Sequence, residues 1–245
     1  GGNNMADKTG CRIEFFKKNN HISYYIVDGG EEPFSELITW LKNNKETDIP
    51  KNIIYLKKNG ELFTSGRRPL KKEANHICSP YLNGYLDEFL DLNMVPLLET
   101  NRGCPYRCTF CAWGMASHNI VSRLNIDNTL EEIKYIGKRS KVNKWIICDA
   151  NFGILKRDVE IAKAIRKVHD EYHCPKKLSL WLSKNTTSRN LEIAEILEDM
   201  IEPVMAIQTM EQEVLANIKR DNISSDTYIK YQERFHSIGS TTTSD

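Results

Sequence analysis

No stretch of the sequence comes near the roughly 20 apolar residues that cross a bilayer. Trp145 to Cys148 is among the longest apolar runs, and the N-terminus has no apolar core of the kind a secretory leader carries. A membrane protein or an exported one is not expected, and the chain reads as cytoplasmic. An excess of one charge is also missing: 34 Lys and Arg stand against 33 Asp and Glu, for a net charge of +1. So balanced a surface has no broad field to draw in nucleic acid or an anionic membrane, and neither is an expected partner. The rest is ordinary for a globular protein, because 40% hydrophobic residues over 245 positions suffice for a sizeable core.

A disulfide framework is lacking too. The seven cysteines are odd in number and uneven in placement. Cys11, Cys78, Cys148 and Cys174 stand apart and read as small buried hydrophobes or idle thiols. Cys104, Cys108 and Cys111 crowd into one short segment.

Gly1 to Lys8 is polar and glycine/asparagine-rich, which predicts a disordered end. Ile22 to Val27 reads as a buried strand, the turn Asp28-Gly29-Gly30 follows, and Phe34, Leu37, Ile38 and Leu41 space an amphipathic helix. Ile53 to Leu56 and Glu61 to Thr64 flank Asn59-Gly60, a strong hairpin signal. Residues 9–75 thus form a small, incomplete α/β, Rossmann-like segment, and the proline-punctuated stretch 76–93 suits a linker.

From Met94 onward short apolar runs alternate with amphipathic helices. Strands are expected at Val95 to Glu99, Trp145 to Cys148, Leu178 to Leu182 and Val204 to Ile207. Helices are expected near Asn128 to Lys138, with Asn128 and Glu131 as cap and partner, at Asp158 to His169, at Leu191 to Met200, and up to about Ile238. Such repeats argue for parallel strands under right-handed crossovers, an α/β fold as open sheet or barrel. At Ser240 to Asp245 a further strand would be starting, so the chain is expected to be a piece of a longer protein, truncated at its C-terminus.

In parallel α/β folds ligands lie beyond the carboxyl ends of the strands. That rule selects Cys104 to Trp113, Asp149 to Gly153, Ser183 to Asn185, and Gln208 with Thr209. Gly103 and Pro105 give the cysteine loop tight bends, and Arg102 and Arg107 would favour thiolates. Trp113 and Met115 would shield a metal centre or simply pack. Thiolates suit iron–sulfur clusters and zinc. Three cysteines fall one short of a fully protein-ligated [4Fe–4S] cluster, which leaves one iron open to an outside ligand. Three alternatives remain: a structural zinc site with His118 as fourth ligand, an iron–sulfur electron-transfer or structural module, and a chance gathering of three cysteines.

Cys104-Pro105-Tyr106-Arg107-Cys108-Thr109-Phe110-Cys111 is a Cys-x3-Cys-x2-Cys motif with an aromatic before the last cysteine. It resembles the radical S-adenosylmethionine superfamily, and the resemblance runs from about Leu97 to the C-terminus. It implies a partial (β/α) barrel over residues 94–245, with metal ligands Cys104, Cys108 and Cys111. It implies S-adenosylmethionine held by its amino and carboxylate groups on the open iron, and its reductive cleavage to a 5′-deoxyadenosyl radical. Phe110 then matches the aromatic near the adenine, and Asp149 or Asn151 the acceptor for the amino group; a helix cap or turn is the alternative for both. Lys184, Asn185 and Gln208 would contact the ribose or carboxylate. Arg220 lies in a stretch found in related members, or at a solvated helix end.

Val27 to Phe34, the hairpin, Ser79 to Leu82 and Asp87 to Phe89 resemble the branch with an N-terminal cobalamin-binding domain, of which residues 9–75 would be the C-terminal part. Two departures stand out. Asp28-Gly29-Gly30-Glu31 replaces Gly-Glu-Gly-Glu, and the cobalamin-ligating Asp-x-His-x-x-Gly is absent, so cobalamin stays open for the full-length protein. The methylthiotransferase branch would bring a second cysteine set, where only Cys11 and Cys78 occur. The implied partners are an organic substrate, small or large, and an electron donor such as a flavodoxin or ferredoxin. The outcome would be hydrogen abstraction or a cobalamin-assisted methyl transfer.

Overall fold

The structure, a computed structural model, describes residues 9–43, 48–69, 71–111, 113, 120–185 and 188–239. The expectations placed on Gly1 to Lys8, Met115, His118 and Ser240 to Asp245 lie outside the described residues. Backbone contacts divide the chain into two units, Gly1–Leu70 and Lys71–Asp245.

In the first unit, strands β1 (Tyr25–Ile26), β2 (Ile53–Leu56) and β3 (Leu62–Thr64) pair antiparallel in the order β1-β2-β3. Alternation sends successive side chains to opposite faces. Tyr25 and Ile54 therefore meet Phe16 of helix α1 (Thr9–Lys18), while Ile26 and Ile53 meet Leu37 of helix α2 (Glu31–Lys42). Helix α1 has no apolar stripe to announce it in the sequence. The hairpin forms as read, with Gly60 at φ +83 and the Lys57 amide donating to the Glu61 carbonyl at 2.8 Å. Of the apolar face expected for α2, Leu37 is buried and Leu41 packs beside it, while Phe34 and Ile38 are exposed and Pro33 is buried in their place.

The second unit begins with a short helix, α3 (Asp87–Asp91), followed by β4 (Leu97–Leu98). A two-stranded antiparallel ribbon, β5 (Asn101–Arg102) with β6 (Ser122–Arg123), leads to α4 (Ile126–Arg139). The chain continues through β7 (Lys144–Ile147), α5 (Asp158–Tyr172), β8 (Lys177–Ser179), α6 (Ser188–Leu197), α7 (Gln212–Asn217) and α8 (Ser225–Ser237). β4, β7 and β8 are parallel in that order, with Leu98 opposite Ile147 and Trp145 opposite Leu178. The sheet is open. Its helix side is the core: Leu98, Trp145 and Ile147 pack with Ile133 and Ile136 of α4, Ile161, Ala162, Ile165 and Val168 of α5, and Ile193 and Leu197 of α6. The face expected for α5 is the face buried. Residues 76–93 pack on this unit, Tyr81 and Leu90 being in its core. The Tyr81 hydroxyl donates to the Leu97 carbonyl at 2.9 Å and accepts from the Leu97 amide at 3.0 Å. Among the described residues no helix is long and apolar enough to cross a membrane.

Three local readings change. The α4 cap is Asn125, not Asn128: Asn125 is extended, and its side chain accepts from the Asn128 amide at 3.0 Å. β8 ends at Ser179 because the chain then swings to the loop after β7, where Leu182 bridges Phe152. Val204 to Ile207 forms a single bridge residue rather than a strand. Its carbonyls go to side chains, Ala206 accepting from Arg220 at 2.5 Å and Ile207 from Asn222 at 2.7 Å.

Gly137 of α4 lies against Val168 and Tyr172 of α5, and a Cβ there would run into the Val168 methyl. Alanine favours helix by about 1 kcal/mol over glycine, but overpacking beside a stiff β-branched side chain costs about 1–3 kcal/mol. Gly137→Ala is expected to be net destabilising, and Gly137→Ala with Val168→Ala to recover part of the loss. Urea midpoints of the two single variants and the double variant measure that coupling.

Candidate functional site

The carboxyl ends of β4 and β7 are joined by one buried acid. Asp149, 1% exposed, accepts at Oδ1 from the Thr100 amide at 2.7 Å and the Asn101 amide at 3.1 Å. Its Oδ2 accepts from the Thr100 hydroxyl and from Asn101 Nδ2, the latter at 2.7 Å. Burial outweighs the pull of these donors and raises the carboxyl to about 7. Arg157 adds a second tie, donating to the Thr100 carbonyl at 2.6 Å and the Leu124 carbonyl at 2.5 Å. The end of β4 is thereby held where the cysteine loop departs.

Gly103 opens that loop at φ +100, a conformation that favours glycine. Cys104 and Cys108 are buried at 1% and 2% exposure, and Cys111 is half-buried. The Cys111 amide donates to the Cys108 carbonyl at 3.1 Å, and the Thr109 amide to Ile218 at the end of α7 at 2.9 Å. Arg102 pairs with Glu99 at 2.7 Å.

Asn151, in the loop after β7 and 1% exposed, places Nδ2 3.1 Å from Cys104 Sγ. Its Oδ1 is buried without a partner among the described residues. The loop is pinned on both sides of Asn151. The Phe152 amide donates to Trp181 and the Ser183 amide to Phe152, both at 2.8 Å. Gly153, at φ +91, lies so close to Asn190 that a Cβ would collide with its side chain. Asn190 in turn exchanges hydrogen bonds with Ser183 at 2.9 and 3.0 Å.

The other sequence-selected residues scatter around this centre. Lys184 places Nζ 5.6 Å from the centre of the Tyr106 ring, and Asn185 Oδ1 is buried without a partner among the described residues. Burial pushes the Tyr106 phenol up, opposed by its bond to the Asn185 backbone. Phe110 is 54% exposed and Gln208 is exposed at φ +70. Arg220 is buried, which removes the solvated-end reading. A cavity of about 500 Å³ borders Cys108 and is lined by Tyr106, Arg107, Lys184, Lys219 and Arg220 among others. Thr100, Asn101 and Arg157 were missed in the sequence, and Tyr106 lay in the selected cysteine loop without a role of its own. Only the proximity of Thr100 and Asn101 to the cysteines was there to flag them.

The donor set fits an iron–sulfur cluster with an open iron: three unpaired thiols in one rigidly rooted loop, two of them shielded from water. Among the described residues no three His, Cys, Asp or Glu side chains converge as a single metal ion requires. The Radical SAM superfamily matches residues 98–245, more than half of the chain. The chain belongs to that superfamily.

Two curated relatives match along most of the chain. The cobalamin-dependent radical SAM methyltransferase TokK of Streptomyces tokunonensis is 31% identical over 96% of this chain. The 2-(S-pantetheinyl)-carbapenam-3-carboxylate methyltransferase of Streptantibioticus cattleyicolor is 32% identical over 96%. This chain spans 35% of the length of each. Among solved structures, the radical S-adenosylmethionine methyltransferase TsrM of Kitasatospora setae, with tryptophan and a SAM analog, superposes with a TM-score of 0.70 at 15% identity. That match covers 95% of this chain and 46% of TsrM. The cobalamin-dependent S-adenosylmethionine radical enzyme OxsB, with aqua-cobalamin, gives 0.65 at 19% identity, over 94% of this chain and 34% of OxsB. At these identities the likeness is one of fold.

Folding raises the Asp149 pKa from its usual 3.8 to about 7, so the native state keeps the proton to higher pH than the unfolded chain does. Its contribution is then full below pH 4 and falls as pH climbs through 7, by an amount on the order of 4 kcal/mol at 1.36 kcal/mol per unit. Asp149→Asn cannot titrate. The wild-type advantage over this variant is expected to narrow between pH 5 and pH 8, as thermal melts at the two values will show.

Proposed function

We propose that the chain binds a [4Fe–4S] cluster through Cys104, Cys108 and Cys111, with S-adenosylmethionine on the open iron, as part of a cobalamin-dependent radical methyltransferase acting on an organic substrate. The observation that carries this reading is the cysteine loop itself. It leaves the carboxyl end of a parallel strand, its first two thiols are buried, and no fourth cysteine follows nearby in the sequence. When bound, the reduced cluster and S-adenosylmethionine supply the electron and the 5′-deoxyadenosyl radical.

The protein's residues bind, orient and exclude water. Gly103 aims the loop, and Asp149 fixes its root through Thr100 and Asn101. The buried Asn151 carbonyl is the acceptor for the amino group of S-adenosylmethionine, a role Asp149 cannot share while its oxygens are occupied. Lys184, Asn185 and Gln208 face the carboxylate or ribose, and Phe110 covers the adenine. Residues 9–75 are the C-terminal part of a cobalamin-binding-like domain, 76–93 its connection, and 94–245 the radical SAM core. The names of the curated relatives support methylation and cobalamin for the whole protein. An electron donor such as flavodoxin or ferredoxin, and a cytoplasmic location, complete the proposal.

Electron paramagnetic resonance tests it, on the chain reconstituted without oxygen and reduced with dithionite. A [4Fe–4S] signal that shifts on adding S-adenosylmethionine, and is lost in Cys104→Ala, is expected. A signal indifferent to S-adenosylmethionine would make this an electron-transfer module, and bound zinc without iron a structural one.

A further inference from the structure

We infer that Asn151 is a positioning residue that raises the reduction potential of the cluster, by holding its amide N–H on the Cys104 sulfur. The inference rests on the cluster reading above and extends it to a property of the cluster that the cysteines alone do not determine.

Three observations converge. The Asn151 amide nitrogen lies 3.1 Å from Cys104 Sγ, and both residues are 1% exposed. The Sγ atom stands here for the cluster-bound thiolate, which has no proton to give. Of the two ends of the Asn151 amide only the NH₂ can then face sulfur, and the carbonyl must face away. That agrees with the third observation, an Oδ1 buried without a partner among the described residues. The amide's orientation is therefore dictated by the ligand it serves.

Reduction adds one electron to a cluster whose charge is spread over iron, sulfide and thiolate. An N–H dipole fixed on a ligand sulfur stabilises the more negative state, and does so more strongly where water is excluded. The dipole must not swing away when the charge changes. Here it cannot, because the backbone beside Asn151 is bonded to Trp181 and Ser183, and Gly153 is held against Asn190. Asn151 thus serves the first cysteine from the second strand.

The test is a redox titration of the reconstituted full chain, followed by the reduced cluster's paramagnetic signal without S-adenosylmethionine. Asn151→Leu removes the donor at similar volume, and Asn151→Ala removes it while leaving room for water. Both are expected to titrate at more negative potential than wild type with unchanged iron content, Leu further than Ala because water would restore part of the bond. If Leu does not fold, Ala decides. Wild-type midpoints in the variants that fold, or loss of the cluster from them, would overturn the inference and leave Asn151 as packing. A wild-type chain that takes up no cluster sinks the cluster reading and this inference together; a normal wild-type cluster with unmoved variants sinks only the latter.

Discussion

One buried carboxyl organises the reacting end of the second unit. Two backbone amides, a hydroxyl and a side-chain amide from Thr100 and Asn101 all turn toward Asp149. Four donors on one side chain specify a direction as well as a distance, so the chain can leave β4 along only one path. The cysteines follow immediately on that path. A carboxyl taken out of water is costly when unpartnered, and the same cost makes any alternative course for residues 100–103 unfavourable. The loop's geometry is thus enforced from beneath, by groups that never meet the ligand.

The loop after β7 contributes twice, two residues apart. Asp149 holds the root of the cysteine loop, and Asn151 reaches its first thiol. The segment after β8 and helix α6 then lock that loop, Ser183 bonding Phe152 and Asn190 bonding Ser183. Each strand end is positioned by its neighbour, which is why the open sheet still presents a rigid edge.

The sequence made the periodic parts legible. The core face of α5, the Asn59-Gly60 hairpin, the first three parallel strands and the cysteine loop all carry local signals: 3.6-residue spacing, turn chemistry, short apolar runs, clustered thiols. What escaped was non-local. Asp149 carried the same weight as Asn151 in the sequence, since nothing there says that its oxygens are claimed by residues 48 and 49 positions earlier. Val204 to Ile207 has the composition of a strand, yet Arg220 and Asn222 take its carbonyls from far along the chain. The α4 cap was misread by three residues because Asn125 and Asn128 are equally good caps until the backbone of one is extended. Helix α1, with charged and apolar residues mixed around it, offered no stripe to recognise.

The contact between Tyr81 and Leu97 has a consequence for how the protein behaves among copies of itself. The Ile146 and Cys148 amides donate to the flanking Pro96 and Leu98 carbonyls, so the amide and carbonyl of Leu97 point outward from the sheet. Outward-pointing backbone groups of this kind are what a strand from another molecule would use to extend the sheet, the first step of many aggregation routes. A single phenol answers both groups at once, as donor and as acceptor. The segment that carries Tyr81 therefore also acts as a plug, denying that edge to a stranger's strand.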